Sequence, residues 1–189
     1  GFVIRSGNTS DEQSQVIAEC LMGRLSDDDL NLDIDESVLR DVDEIVLCAC
    51  GTSYHAALAA SYLLERLAKI RATVVVASEF RYKEPFLNPN SLFVVISQSG
   101  ETADTLEALK IAKNSNLKTL AICNVDNSSI VRMAKEVLLT RAGIEKGVAS
   151  TKAFATQMIC LWMLALKLAK IRDTISTKVL QDEINALRN

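Results

Sequence analysis

At 189 residues, 49% hydrophobic and 24% charged, the chain is long enough for one sizeable core and too short for two domains of usual size. A net charge of −3 gives no broad electrostatic reason to bind nucleic acid or an anionic membrane, while a small phosphate pocket needs no basic surface. Five cysteines without a CxxC, beside a single histidine, fit reduced thiols in a cytoplasmic protein better than a disulfide framework or a zinc site.

In chain order, Ser10-Asp11-Glu12-Gln13 has capping-box spacing, and Val16, Ile17, Cys20 and Leu21 form an apolar stripe behind it. This predicts a first helix over about residues 10–22, ended by Gly23. Six carboxylates follow: Asp27, Asp28, Asp29, Asp33, Asp35 and Glu36. They lack the glycine turn and alternating spacing of a calcium loop, so the stretch reads as a solvated linker with short helical turns. EIVLCAC at 44–50 is the first core strand, Gly51, Thr52 and Ser53 a turn, and residues 54–69 a helix. Leu58, Tyr62, Leu63 and Leu67 are the side chains expected to lie on a sheet. A strand over 73–77 and a short helix from Ser78, giving way near Pro85, come next.

Residues 92–96, LFVVI, are an unbroken apolar run, the pattern of a central parallel strand covered on both faces. From Thr102 the period becomes helical, with Leu106, Leu109, Ile111 and Ala112 opposite Glu107, Lys110 and Lys113. KTLAIC at 118–123 is a further strand, 124–129 a polar turn, 130–134 a brief helix and 137–140 an edge strand. A loop over 141–152 leads into the longest helix, 153–170, apolar on most of its circumference. One face should pack on the sheet and the rest needs a second cover, another domain or another copy of the chain. Thr156, Gln157 and Lys167 interrupt it, so it is not read as a membrane span. Asp173 or Thr174 is the expected cap of a last helix ending near Leu187. The repeated β–α alternation predicts an α/β fold: a three-layer α/β/α sandwich on a mostly parallel sheet of four or five strands.

Two strand–helix junctions carry the chemistry. One is Cys50-Gly51-Thr52-Ser53; the other is Ser97-Gln98-Ser99-Gly100-Glu101-Thr102, with three hydroxyls, an amide and a glycine. A helix start leaves N–H groups unpaired and carries partial positive charge, and hydroxyls beside it can wrap a dianionic phosphate. An ordinary cap accounts for one hydroxyl and a glycine at one junction. Parallel strands put both junctions on one edge of the sheet, where ligands of open α/β folds sit, which favours phosphate or sugar binding.

Other chemistries lack their marks. There is no GxGxxG, no GxxxxGK[ST] and no GxSxG elbow. His55 reads as a packing or cap-side residue rather than a proton shuttle. The acidic candidates near the ligand edge are Glu79, Glu101 and Glu145, with Glu101 placed to favour its helix dipole. No cofactor and no metal is expected.

CGTSY (50–54), ASEFRY (77–82), SQSGETADTL (97–106), AICNV (121–125) and GVASTKA (147–153) closely resemble the glutamine–fructose-6-phosphate aminotransferase family. They fall in the first of two sugar-isomerase (SIS) domains of its isomerase part, which has a flavodoxin-like topology. The resemblance implies that Ser97, Gln98, Ser99 and Thr102 hold the phosphate of fructose 6-phosphate or glucosamine 6-phosphate. Cys50 (through its backbone), Gly51, Thr52, Ser53, Val148 and Ser150 would contact the sugar. Catalytic residues are expected in a second SIS domain, and glutamine hydrolysis in a glutaminase domain, both outside this sequence. Gly1 in place of an initiator methionine fits a piece of a longer chain, inactive alone. On that reading 1–40 is a helix and acidic linker packing on the core, 41–172 the SIS domain, and 173–189 a helix leading to the second. A homodimer is implied. Ile144 and Lys146 depart from the family's usual residues. A phosphosugar-sensing module and a sugar-phosphate isomerase or deglycase are the alternatives.

Overall fold

Short β-branched runs alternating with amphipathic stretches build a five-stranded sheet in the computed structural model, which describes residues 9–143 and 151–189. The strands are β1 (Glu44–Ala49), β2 (Arg71–Val76), β3 (Ser91–Ser97), β4 (Lys118–Cys123) and β5 (Glu136–Leu139). Every pairing is parallel, in the order β2-β1-β3-β4-β5. The helices are α1 (Thr9–Leu21), α2 (Gly51–Ala68), α3 (Ala77–Phe80), α4 (Ala103–Asn114), α5 (Ser129–Met133), α6 (Thr151–Ile171) and α7 (Thr177–Arg188).

The two-residue period of the strands divides the core. Ile45, Leu47, Leu92, Val94, Ile96, Leu120 and Ile122 join the side chains of α1, α2, α6 and α7 in one cluster. Val46, Cys48, Phe93, Val95 and Ala121 join those of α3, α4 and α5 in the other. Central β3 is buried at every position, as its unbroken apolar run requires. The three-layer sandwich and the parallel sheet are therefore as expected, with five strands.

Several local expectations fail for identifiable reasons. Helix α2 begins at Gly51, so Thr52 and Ser53 lie in its first turn rather than in a preceding loop. Its inner face is Ala56, Ala57, Ala60, Leu64 and Leu67, whereas Leu58 and Tyr62 point to solvent, Tyr62 at 75% exposure. Small residues let α2 lie close on its neighbours, and the periodicity of the larger side chains conceals that face. Helix α6 finds most of its cover within the chain, where α1, α2 and α7 pack it against the sheet, while Phe154, Met158, Ile159 and Trp162 are only partly buried. Met163 is fully buried, and Trp162 donates to Glu183 of α7 at 2.9 Å. By length and composition α6 could cross a membrane, but 61% of its apolar window is buried within the protein.

The acidic stretch is not simply solvated either. Asp29 and Glu36 accept from the largely buried Lys167 ammonium of α6 at 3.0 and 2.6 Å, while Leu30, Leu32, Val38 and Leu39 fill the core beneath. Asp35 caps a 3-10 turn over Glu36–Val38. The last helix is capped by Ser176, whose hydroxyl accepts from the Val179 amide at 3.2 Å. Asp173 instead adopts a left-handed turn, and the Thr174 hydroxyl donates back to the Leu67 carbonyl.

Candidate functional site

The chain leaves β1 toward β2 on one side and β3 toward β4 on the other, so neighbours β1 and β3 form the topological switch point of the sheet. Helices α2 and α4 start just beyond their C-terminal ends. A cavity of about 230 Å³ lies between these starts. It brings together Cys50, Thr52, Ser53, Ser97, Gln98, Ser99 and Thr102, all seven expected from the sequence, and adds Ile96 and Thr105. Gly51 is not among the lining residues. Val148 and Ser150 fall outside the described residues.

Neither helix start is capped by a side chain. Cys50 and Thr102 occupy the N-cap positions in extended conformation without a side-chain cap hydrogen bond. The first amides of α2 and α4 are thus left for another acceptor, and two dipole ends meet the same space. Among the described residues no charged side chain lines the cavity, so hydroxyls and backbone dipoles are what they bring to its electrostatics. The Gln98 Oε1 is buried with no hydrogen-bond partner among the described residues.

The 97–102 loop is held from within and from behind. Ser97 Oγ accepts from the Gly100 amide at 3.0 Å, and Ser99 Oγ from the Glu101 amide at 3.2 Å. Both hydroxyls are therefore held as acceptors, with their own protons free to donate. The same bonds consume the Gly100 and Glu101 amides, so the loop offers hydroxyls where the sequence suggested free N–H groups. Behind the loop, the Ile130 amide donates to the Gly100 carbonyl at 3.1 Å. Gly100 has φ +69°, and a Cβ there would lie 2.0 Å from Ser128 Oγ, so only glycine fits.

The acidic candidates separate. Glu101 accepts from the Ser129 amide and hydroxyl, both at 2.7 Å, at the start of α5. Those Ser129 bonds hold its carboxyl below the usual carboxylate range, aided by Arg132. Glu79 lines a different cleft of about 320 Å³ beside β2 and pairs with Lys83 at 3.1 Å. Glu145 lies outside the described residues. His55 is exposed, with its ring edge-on to Tyr54 at 5.9 Å. Among the described residues, no cluster of three or more His, Cys, Asp or Glu side chains could hold a metal.

Sequence reasoning passed over Asn124. Its amide oxygen accepts from the Ala142 amide at 2.6 Å and the Thr140 hydroxyl at 3.1 Å, and its NH₂ donates to the Gly143 carbonyl at 2.8 Å. It ties the end of β4 to the segment leaving β5, beside a hollow that includes Gln98 and Ser99. The signal was an amide side chain immediately after a buried strand, at the ligand edge of the sheet.

With this geometry in place, comparison with known proteins is informative. The chain is 65% identical over 163 residues to a glutamine–fructose-6-phosphate aminotransferase [isomerizing] of Campylobacter jejuni, covering 86% of this chain and 27% of that protein. A Helicobacter pylori protein of the same name is 54% identical over 165 residues, covering 87% and 28%. The chain thus spans about a quarter of the length of these relatives. Among solved structures, the C-terminal domain of glucosamine-fructose-6-phosphate aminotransferase from Francisella tularensis superposes with a TM-score of 0.90 at 40% identity, over 95% of this chain and 51% of that one. The SIS domain profile matches residues 38–167, which include both junctions and all five strands, and the chain belongs to the SIS domain family.

Proposed function

We propose that the chain is the phosphosugar-binding half of the isomerase part of a glutamine-dependent fructose-6-phosphate aminotransferase, which makes glucosamine 6-phosphate. One observation carries this reading: two helix starts without side-chain caps face a single hydroxyl-lined cavity at the switch point of the sheet. Such a cavity suits a dianion on a neutral polar body. Ser97, Ser99 and Thr102 donate to the phosphate, and the α4 dipole adds to the attraction. Thr52 and Ser53, in the first turn of α2, meet the sugar hydroxyls, with Cys50 and Gly51 contributing backbone. Val148 and Ser150 belong to this set by resemblance.

The reaction requires ring opening, nitrogen entry at C2 and proton transfer between C1 and C2. Glu101 is committed to Ser129, and among the described residues no carboxylate or imidazole lines the cavity. The chain's own part is to bind and orient substrate, while acid–base groups come from a second SIS domain and ammonia from a glutaminase domain of the same polypeptide. In this arrangement 41–172 is the SIS domain, 1–40 packs on it and 173–189 leads onward. The protein works in the cytoplasm as a homodimer.

The same lack of an acid–base group favours one second reading, a non-catalytic phosphosugar sensor. Assay of the full-length gene product separates the two. Glucosamine 6-phosphate formed from fructose 6-phosphate in strict dependence on glutamine is expected, with none from the 189-residue chain alone. A full-length product that binds the sugar phosphate without converting it would establish the sensor.

A further inference from the structure

Where α1 and α6 meet the end of β5, two buried thiols meet a buried cation. Cys20 of α1 and Cys160 of α6 are both 0% exposed, with their sulfurs 3.6 Å apart. The Arg24 side chain is buried beside them. Its Nη1 donates to the Cys20 carbonyl at 2.9 Å and approaches the two sulfurs at 3.8 and 4.0 Å, while Nη2 donates to the Leu139 carbonyl at 2.7 Å. Among the described residues its partners are carbonyls and sulfurs, with no carboxylate. A buried guanidinium without a counter-charge is costly, and a cysteine thiolate is the anion within reach.

We propose that Cys20 and Cys160 are a modification site, joined as a reversible disulfide by a small two-electron hydroperoxide oxidant. Cys20 is the nucleophile. The Cys160 hydrogen bond lowers its pKa against the opposing effect of burial, helped by the charges of Arg24 and Arg141, while Cys160 itself is raised by the same contact and stays protonated. The other buried thiols are not activated in this way: burial pushes Cys48 up to about 12 and also raises Cys123.

The Cys20 thiolate attacks the peroxide oxygen, the O–O bond breaks, and Cys20 becomes a sulfenic acid as hydroxide leaves. The Cys160 sulfur then attacks the Cys20 sulfur, the S–O bond breaks, and the Cys160 proton leaves with the hydroxyl as water. Two thiols and one peroxide give one disulfide and two waters. To form the bond the sulfurs close from 3.6 Å to about 2.05 Å. The bond would pin α1 to α6 and disturb Arg24, whose other bond anchors the end of β5 next to the segment tied by Asn124.

The test treats the reduced chain with hydrogen peroxide and, separately, with oxidised glutathione, then maps each cysteine by mass spectrometry. Peroxide should yield a linked peptide pair containing Cys20 and Cys160, two hydrogens lighter than the sum of the two reduced peptides and reversed by dithiothreitol. Oxidised glutathione, too large for a site with no exposure, should leave the pair reduced. In Cys160→Ser, Cys20 should stop as a sulfenic acid, captured when the protein is unfolded in the presence of dimedone. Wild-type protein in which both thiols still alkylate after unfolding, under peroxide that has fully oxidised the partly exposed Cys50, overturns the proposal. So does Cys20 oxidised beyond sulfenic acid without linkage.

Discussion

The two junctions at the switch point use the same parts and build them differently. At Gly51 the backbone is left-handed, φ +57°, yet a Cβ would meet nothing within 4 Å. At Gly100 the same backbone conformation is wedged against Ser128 and Cys123, and the loop around it is bonded by Ser97, Ser99, Glu101 and Ile130. The first junction is open and its hydroxyls sit on a helix turn; the second is locked by its own side chains and by α5. A cradle for a compact dianion gains from being preorganised, whereas a contact to a sugar's hydroxyls tolerates slack. That contrast suggests the locked junction for the phosphate and the open one for the sugar.

The contrast breaks most visibly at the glycines. Gly100→Ala should destabilise by roughly 2–5 kcal/mol, positive-φ strain plus overpacking, whereas Gly51→Ala should cost about 1–2 kcal/mol from strain alone. Urea melts of the two variants measure the difference; equal losses would show that the loops are equally tight. Ser97→Ala comes next, because it strips the acceptor from the buried Gly100 amide, at a cost of about 1–3 kcal/mol in the same melt.

The open junction should behave oppositely. No hydrogen bond fixes the Thr52 hydroxyl among the described residues, so Thr52→Val should change stability by no more than about 0.5 kcal/mol. It should nonetheless weaken glucosamine 6-phosphate roughly tenfold, the worth of one good hydrogen bond, in a calorimetric titration. The smallest effect concerns Glu101. Its folded pKa is depressed, so its stabilising contribution is full above the unfolded value near roughly 4.3 and is lost as pH falls through the folded value. Glu101→Gln should therefore be less stable than wild type at neutral pH, and the gap between their melts should close on acidification. A gap independent of pH would mean the Ser129 contact does not depend on charge.

Most of the fold was legible because its signals are local. The strand over 118–123 was placed to the residue, since β4 is a bounded apolar run, and LFVVI marked the central strand in the same way. The start of α2 was missed because Gly51, Thr52 and Ser53 look like a turn, and only the backbone reveals them as helical. The burial of Ala56, Ala57 and Ala60, and the cover that α6 finds within the chain, depend on long-range packing that no window of sequence contains. At the site, the hydroxyls announced themselves by type and spacing. The commitments of Glu101 to Ser129 and of Asn124 to Ala142 and Gly143 span 28, 18 and 19 residues and had to be seen.

The central claim, that the locked junction holds a phosphate, is tested most directly at Ser99. Its hydroxyl accepts from an exposed amide, so Ser99→Ala should barely alter stability while removing one charge-assisted hydrogen bond to the ligand. Calorimetric titration of wild type and Ser99→Ala with glucosamine 6-phosphate and with glucosamine gives the answer. Wild type should clearly prefer the phosphorylated sugar, and the variant should bind it roughly 10- to 100-fold more weakly, losing most of that preference. Equal wild-type affinity for the two sugars, or a variant indistinguishable from wild type, would contradict the assignment.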